Sequence, residues 1–278
     1  MRYRLICADI DGTLVNRQGL MTEENRQAIR RLEEENVIFA ICSGRMLRAV
    51  ELMADFYGIE SYIVCSNGAI VTDYKKKETI YHSWMSEEEM KEIFDYAKKY
   101  NCMIGLNTRE GMIYNDKNCI EEGIYTNANQ LYGTENKKIE LCRTKEYQEK
   151  SRMKNIAKIS LWTRNQQDYL TLWNEIEQTG HFTMAHAMPV NIELTRKGVS
   201  KWGGIEKIME RNGIKREEVL CIGDTMNDYE MIVNAGLGVC MENGMKKLKE
   251  ASDYITKSND DSGVAFVIDQ CLKGEKML

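Results

Sequence analysis

The pentapeptide Asp9-Ile10-Asp11-Gly12-Thr13 directly follows an apolar run, Leu5-Ile6-Cys7-Ala8. A short apolar run that ends in a glycine turn is typical of a buried β-strand, so we expect a strand that delivers two carboxylates to its C-terminal end. In a strand, side chains two residues apart point to the same side, which would bring Asp9 close to Asp11. Such charges repel unless a cation or a shared proton lies between them. The stretch therefore predicts a metal ion, a protonated carboxyl group, or both.

Segments at both ends of the chain alternate short apolar runs with amphipathic stretches. Apolar strands that are separated by helices are typical of a parallel sheet covered on both faces. We therefore predict an α/β fold with a doubly wound, Rossmann-like parallel-sheet core. The predicted strands are 4–8, 37–42, 62–65, 219–222, 237–240 and 254–256, with a hairpin over 69–81. The predicted helices are 22–35, 46–57, 201–212, 228–234, 245–251 and 263–272.

The pattern changes in the middle of the chain, where helical stretches alternate with short strand-like pieces. The single proline, Pro189, falls where this region would return to the core, and a proline stiffens such a crossing segment. We expect residues 1–82 and 190–278 to form the core and residues 83–189 to form an inserted α+β domain. In this region the predicted helices are 86–100 and 166–178, and the predicted strands are 103–106, 112–114, 156–161 and 182–185; a further strand, 191–194, is predicted directly after it.

The overall charge limits the classes of partner. A net charge of −5 leaves no basic field that would hold nucleic acid or an anionic membrane, and no apolar run approaches the ~18 residues of a membrane span. We therefore expect neither nucleic acid nor a membrane as a partner. An anionic substrate would have to be bound by local positive groups.

The cysteines indicate the redox environment. The nine cysteines contain no Cys-x-x-Cys pair, and Cys7, Cys42, Cys65, Cys221 and Cys240 lie in or beside predicted strands. Such residues behave as small buried hydrophobic groups in a reduced protein. Because disulfides are rare in the cytoplasm, this usage predicts a cytoplasmic protein.

Two polar turns follow predicted strands in the first part of the chain. Ser43-Gly44-Arg45 comes after strand 37–42, and Ser66-Asn67-Gly68 comes after strand 62–65. Open α/β sheets bind ligands at the carboxyl ends of their strands, and a hydroxyl, a glycine and a helix N-terminus suit an anion. Both turns are also ordinary turn sequences, so these residues alone leave a structural role open.

Two segments in the last third carry further charged groups. Gly198-Val199-Ser200-Lys201 begins a predicted helix, where Lys201 would offset repulsion between carboxylates and a phosphate; a solvated lysine is the alternative. Gly223-Asp224-Thr225-Met226-Asn227-Asp228 follows strand 219–222. Oxygen-only side chains at a strand end suit Mg²⁺, although Asp228 is equally suited to cap a helix.

Taken in order, these motifs resemble those of phosphatases of the haloacid dehalogenase superfamily. The first pentapeptide is similar to the nucleophile motif of that superfamily, and the segments at Ser43, Gly198 and Gly223 are similar to its three later motifs. The resemblance covers residues 1–82 and 190–278 closely. Residues 83–189 match only in position and length, as in the Cof-like branch with an inserted α/β (C2-type) cap.

The chain departs from the family pattern at two positions. Trp202 stands where the lysine motif usually has a final glycine, and Thr225 stands where glycine, serine or glutamate is commoner. Because the resemblance assigns Thr225 no role, we expect substitutions there to be tolerated.

The resemblance implies a role for each candidate residue. Asp9 would be the nucleophile and Asp11 the general acid and base. The implied metal is Mg²⁺, held by Asp9, the backbone carbonyl of Asp11 and Asp224, with Asp228 as a further ligand or an orienting residue. The implied phosphate-binding residues are Ser43, Gly44, Asn67, Lys201 and Asn227.

These roles predict a magnesium-dependent phosphatase that hydrolyses a small phosphorylated metabolite, such as a sugar phosphate, through an aspartyl-phosphate. A phosphomutase or phosphotransferase of the same superfamily and a non-catalytic ligand-binding regulator are the alternatives. We expect a monomer or a weak homo-oligomer. Inward-facing candidates in the insertion, none of which the sequence assigns to the substrate, are Tyr125, Arg143, Lys158, Trp162, His181 and His186.

Overall fold

The computed structural model describes residues 2–116, 119–143, 154–186 and 188–274. The chain divides into two compact units. The first comprises Met1–Ser43, Tyr57–Tyr81 and Ser200–Leu278, and the second comprises Gly44–Phe56 and His82–Val199.

The first unit is built on an eight-stranded sheet. Its strands are β1 (Leu5–Ala8), β2 (Ile38–Cys42), β3 (Tyr62–Cys65), β4 (Ile70–Asp73), β5 (Glu78–His82), β12 (Val219–Gly223), β13 (Leu237–Cys240) and β14 (Tyr254–Ile255). Their order is β14-β13-β12-β1-β2-β3-β4-β5. The strands from β14 to β3 pair in parallel, and β4 pairs with β3 in the antiparallel direction. The predicted α/β parallel-sheet fold is confirmed.

The register of the central strands fixes where the functional segments lie. Ala8, the last residue of β1, pairs with Ile222 of β12 and with Ile41 of β2. Since parallel strands end at the same edge of a sheet, the residues that follow β1, β2 and β12 meet there. Strands β2 and β3 lie on one side of β1, and strands β12 and β13 lie on the other. The strand order therefore reverses at β1, which makes this edge the switch point of the fold.

The helices of the first unit begin at clear capping signals. Thr22 accepts a hydrogen bond from the backbone N–H of Asn25, and Ser200 accepts one from that of Gly203. Side chains of these types stabilise the first turn of a helix because its N–H groups lack partners. The helices are α1 (Glu23–Glu34), α6 (Lys201–Asn212), α7 (Tyr229–Asn234), α8 (Lys246–Ala251) and α9 (Gly263–Lys273), each within two residues of its predicted range.

The second unit contains a six-stranded sheet, ordered β10-β11-β9-β6-β7-β8. Its strands are β6 (Met103–Asn107), β7 (Gly111–Tyr114), β8 (Glu140–Arg143), β9 (Lys158–Trp162), β10 (Phe182–Ala185) and β11 (Asn191–Arg196). Its helices are α2 (Leu47–Tyr57), whose last residue belongs to the first unit, α3 (Glu87–Lys99), α4 (Ile120–Tyr132) and α5 (Gln166–Thr179). Neighbouring strands pair in the antiparallel direction except β7 and β8, which are parallel.

All nine cysteines are free thiols, and eight of them are buried. Burial raises the pKa of the Cys7 and Cys42 thiols well above the usual value, so they stay protonated and pack as apolar groups. Among the described helices, none has both the length and the apolar character required to cross a membrane.

Candidate active site

Asp9 occupies the centre of the carboxyl edge of the first unit's sheet. Its backbone N–H donates to the carbonyl of Ile222 (3.0 Å), and its carbonyl accepts from the N–H of Leu14 (3.2 Å). These bonds tie the residue to the end of β12 and to the turn that follows β1. The Asp9 side chain is buried, with 4% of the residue exposed, so its carboxylate needs partners inside the protein.

Lys201 is the first partner of Asp9. Its Nζ lies 2.8 Å from Asp9 Oδ1 and 2.6 Å from Asp228 Oδ1, and only 1% of the residue is exposed. The alternative of a solvated lysine is therefore wrong. Burial alone lowers the pKa of Lys201, but the two carboxylates outweigh it and raise the pKa above the usual value. Lys201 is thus a fixed positive charge between two aspartates.

Asp224 lies at the end of β12 and is held from two directions. Its Oδ1 accepts a hydrogen bond from the Thr13 hydroxyl (3.1 Å). Gly12 has a positive φ of 79°, and a Cβ added there would lie 2.3 Å from Asp224 Oδ2. The Gly12 carbonyl in turn accepts from Asn243 Nδ2 (2.8 Å). Glycine is therefore required at position 12 both by the backbone conformation and by the closeness of Asp224.

Asp228 uses both oxygens within the protein. Oδ1 accepts from Lys201, while Oδ2 accepts from the backbone N–H groups of Asp224 (2.9 Å) and Thr225 (3.1 Å). Asp228 makes no side-chain cap hydrogen bond to α7, so the helix-cap alternative is wrong. One of its oxygens orders the turn before α7 and the other binds the lysine.

The carboxylate oxygens of Asp9, Asp224 and Asp228 lie within 4.8 Å of one another. Burial raises the pKa of Asp9 well above its usual value; Lys201 opposes this shift and the neighbouring carboxylates add to it. Burial and Asp228 raise the pKa of Asp224 to about 7. Three carboxylates around one ammonium leave two net negative charges. A divalent cation with oxygen ligands would neutralise them, so the donor set fits Mg²⁺.

Asp11 lies beside this cluster but in a different environment. β1 ends at Ala8, and a turn closed by the Thr13 N–H and the Ile10 carbonyl (3.2 Å) follows it. The pentapeptide thus turns instead of extending the strand, so the separation of Asp9 and Asp11 is set by this turn and not by strand alternation. Asp11 is exposed, yet its charge still raises the pKa values of Asp9 and Asp224. Asp11 therefore provides an exposed carboxylate beside the buried ones of Asp9, Asp224 and Asp228.

Ser43 and Asn67 meet through their backbones at the same edge. The Ser43 N–H donates to the Val64 carbonyl (2.8 Å), and the Ser43 carbonyl accepts from the Asn67 N–H (3.1 Å). Asn67 has a left-handed backbone (φ 57°). A Cβ on Gly68 would lie 2.0 Å from the Ser200 carbonyl, so this turn packs against the start of α6. Both residues are buried.

The remaining predicted residues lie in two places. Gly44 belongs to the second unit, where its carbonyl accepts from Lys158 Nζ (2.9 Å). Asn227 is half-buried in the turn before α7, and its Oδ1 accepts from the Thr225 hydroxyl (2.7 Å). Thr225 therefore has a structural contact that sequence reasoning missed. Thr13 and Asn243 were missed in the same way, since a hydroxyl or an amide gives no signal without the fold.

Comparison with known proteins identifies the family of this chain. A family model described as haloacid dehalogenase-like hydrolase matches residues 6–268. Two Bacillus subtilis (strain 168) proteins named 5-amino-6-(5-phospho-D-ribitylamino)uracil phosphatase are similar to this chain. One is 27% identical over 95% of this chain and 94% of its own length; the other is 28% identical over 98% and 99%, respectively.

A solved structure shows the same likeness. The crystal structure of a haloacid dehalogenase-like hydrolase from Bacteroides thetaiotaomicron has a TM-score of 0.82 and 25% sequence identity, covering 97% of this chain and 99% of that one. The family match extends over nearly the whole chain and includes the carboxylate cluster around Asp9. The chain belongs to the haloacid dehalogenase-like hydrolases and is a phosphatase of that family.

Proposed function

We propose that this phosphatase hydrolyses a small phosphomonoester with the help of Mg²⁺ and through an aspartyl-phosphate at Asp9. The observation that carries the proposal is the contact of Asp9 Oδ1 with Lys201, within a group of three close carboxylates. A buried carboxylate that is held by an ammonium and by backbone bonds is oriented for attack. The family match supports hydrolysis as the overall reaction.

In the first step, an Asp9 carboxylate oxygen forms a bond to phosphorus while the bond between phosphorus and the leaving alcohol breaks. Asp11 gives its proton to the departing oxygen. In the second step, Asp11 takes a proton from water, and the resulting hydroxide attacks the aspartyl-phosphate. Inorganic phosphate leaves and Asp9 is regenerated. The exposure of Asp11 suits this exchange of protons with substrate and water.

The magnesium ion would be held by Asp9, the carbonyl of Asp11 and Asp224. When bound, it supplies positive charge to the phosphoryl oxygens. Asp228 acts as a positioning residue, because its two oxygens already bind Lys201 and the backbone N–H groups that precede α7. Lys201 stays protonated and offsets the repulsion between Asp9 and the phosphate.

The phosphate group is bound by Ser43, Gly44, Asn67, Lys201 and Asn227. The second unit acts as the cap that selects the leaving alcohol, and the first unit acts as the catalytic core. The similarity to two enzymes named for a phosphorylated ribitylamino compound supports a phosphomonoester of a small polyol or sugar as the substrate class.

Phosphate release from p-nitrophenyl phosphate tests the proposal. Asp9→Asn abolishes release and leaves the melting temperature within a few degrees of wild type, whereas the surface variant Asp95→Asn is unchanged in both. Acid-quenched wild-type protein carries one added phosphoryl group in its intact mass, and Asp9→Asn does not. Phosphate release by Asp9→Asn near the wild-type rate would refute the assignment of Asp9 as the nucleophile. Product analysis with a hexose phosphate separates hydrolysis from mutase activity, because hydrolysis yields free phosphate whereas a mutase yields an isomer of the hexose phosphate.

A further inference from the structure

The turn over residues 12–15 follows the two aspartates of the first motif and fixes the backbone around them. The N–H groups of residues 13–15 donate back to the carbonyls of Asp9 and Ile10 at 3.1–3.2 Å. These bonds hold the turn from the side of β1. Backbone carbonyls inside a protein also need partners, so the carbonyls of the turn must be bonded by groups from other segments.

Three asparagine side chains supply these bonds, each from a different segment of the first unit. Each donates through Nδ2 to one carbonyl of the turn, and the three pairs are Asn25 with Leu14 (3.1 Å), Asn243 with Gly12 (2.8 Å) and Asn259 with Val15 (2.8 Å). An asparagine can donate to one backbone group and accept from another at the same time. The turn is therefore held by amides that are themselves open to a second bond.

Two of these amides also accept a hydrogen bond. Asn25 Oδ1 accepts from the N–H of Ala265 (2.9 Å), and Asn243 Oδ1 accepts from the N–H of Asn259 (2.9 Å). Asn25 and Asn259 are buried, so they satisfy backbone groups that would otherwise be left without a partner. Asn243 is exposed, and a hydrogen bond that water can replace contributes little to stability. The stability of the fold therefore does not explain the two bonds of Asn243.

The segment that carries Asn243 holds both of the places that supply carboxylates. The Asn243 side chain binds the Gly12 carbonyl, and the N–H of Met245, two residues on, donates to the Asp224 carbonyl (2.8 Å). A Cβ on Gly244, between them, would lie 3.1 Å from the same Asp224 carbonyl oxygen. These three consecutive residues thus fix the distance between the turn at Gly12 and the end of β12.

The peptide bond between Gly12 and Thr13 transmits this contact to the carboxylates. Because a peptide unit is planar, a bond to the Gly12 carbonyl also fixes where Thr13 begins, and the Thr13 hydroxyl donates to Asp224 Oδ1 (3.1 Å). On its other side, Gly12 is joined directly to Asp11. Asn243 therefore acts on two groups to which the proposed function assigns the metal, the Asp11 carbonyl and the Asp224 carboxylate.

We propose that Asn243 is a positioning residue of the metal site, and that its amide sets the spacing between the Asp11 carbonyl and the Asp224 carboxylate. This rests on the proposed function. Groups that orient metal ligands from behind change metal affinity when they are removed. Since water can take the place of the amide at an exposed position, loss of Asn243 weakens Mg²⁺ binding and leaves the fold intact.

Magnesium binding without substrate tests the inference. Asn243→Ala should raise the Mg²⁺ concentration that produces a given rise in melting temperature by about tenfold. The Mg²⁺ concentration that gives half-maximal hydrolysis of p-nitrophenyl phosphate should rise to the same extent. The metal-free melting temperature should stay within a few degrees of wild type, and KM for p-nitrophenyl phosphate at saturating Mg²⁺ within about twofold.

Asn129→Ala is the matched control. The Asn129 amide also donates to one backbone group and accepts from another, the carbonyl (3.0 Å) and N–H (2.7 Å) of Ile139. It lies on α4 in the second unit, so its loss should leave the magnesium dependence of the melting temperature as in wild type. A magnesium dependence of Asn243→Ala equal to that of Asn129→Ala would overturn the inference.

Asn243→Asp separates position from charge. The aspartate keeps an oxygen for the N–H of Asn259, loses the donor to Gly12 and adds a negative charge. Added negative charge alone would tighten Mg²⁺ binding, whereas loss of the Gly12 contact weakens it. Weaker binding than in wild type supports the inference, and unchanged or tighter binding overturns it. Folded wild type that shows neither a rise in melting temperature with Mg²⁺ nor hydrolysis would instead overturn the proposed function.

Discussion

Lys201 Nζ lies 2.8 Å from Asp9 Oδ1, although the two residues are 192 positions apart in the sequence. The contact links two distant parts of the first unit, because it joins the end of β1 to the start of α6. It also makes the lysine the counter-charge for a carboxylate that is otherwise surrounded by like charges.

The first prediction concerns the loss of this counter-charge. Lys201→Met leaves Asp9 and Asp228 buried without their cation, which costs about 3–5 kcal/mol in the free energy of unfolding. It also removes a preorganised positive group from the phosphate site, so kcat falls by about 10²–10³. Urea unfolding and p-nitrophenyl phosphate turnover measure the two effects.

Lys207→Met on the same helix is the matched control. Lys207 is partly exposed and pairs with Glu210, also at the surface, so its loss should change the free energy of unfolding by no more than about 0.5 kcal/mol. Activity of Lys201→Met near that of Lys207→Met would show that the ion pair has no part in catalysis.

The second prediction concerns Gly12. Gly12→Ala adds a Cβ that would lie 2.3 Å from Asp224 Oδ2, so the carboxylate must move. A displacement of that kind in a catalytic group costs about 10² in rate. Turnover at saturating Mg²⁺, together with the Mg²⁺ concentration that gives half activity, measures the loss.

Gly19→Ala separates this contact from backbone strain. Gly19 has nearly the same φ (75° against 79°), and an added Cβ there meets nothing within 4 Å. Both variants pay the left-handed backbone cost of about 1–2 kcal/mol, but only Gly12→Ala should lose activity. An equal loss in the two variants would mean that Asp224 tolerates the added methyl group.

Much of the first unit was predictable because its signals are local. Apolar runs that end in Asp9 or Asp224 define buried strands, and Thr22 caps α1 as its position predicts. Parallel pairing then brings the strand ends together, which is why separate motifs could be placed in one site before any contact was known.

The second unit was less predictable, and two of its elements were missed. Helix α4 contains Gly123, and glycine disfavours helix. Cys119, which precedes the helix, provides no side-chain cap. Strand β8 has only four residues, which are exposed or half-buried. Their stability comes from tertiary contacts, such as the hydrogen bond of Asn107 Nδ2 to Glu121 Oε1 (3.1 Å), and a sequence does not display such contacts.

The third prediction is a dependence of stability on pH that reverses when the metal binds. Burial and Asp228 raise the pKa of Asp224 to about 7 in the metal-free fold, whereas an unfolded aspartate titrates near ~3.9. The folded state therefore holds a proton that the unfolded state has released. The stabilisation that this proton gives to the folded state is fully present below a pH of ~3.9. It is lost as the pH rises through about 7, by up to ~1.4 kcal/mol per pH unit. Metal-free protein should melt at a lower temperature at pH 7.5 than at pH 5.5.

Excess Mg²⁺ should reverse the slope of melting temperature against pH. The ion binds deprotonated carboxylates, so the stabilisation that it provides grows as Asp224 loses its proton. Melting curves at pH 5.5, 6.5 and 7.5, with chelator and with Mg²⁺, measure both slopes. Asp224→Asn does not titrate, so the metal-free slope should flatten and the gain from Mg²⁺ should shrink. Because the Asp224 charge also helps to raise the pKa of Asp9, the difference between wild type and Asp224→Asn measures Asp224 together with its effect on Asp9. A metal-free slope that is the same in the two proteins would show that Asp224 is already ionised, with Lys201 and the Thr13 hydroxyl offsetting its burial.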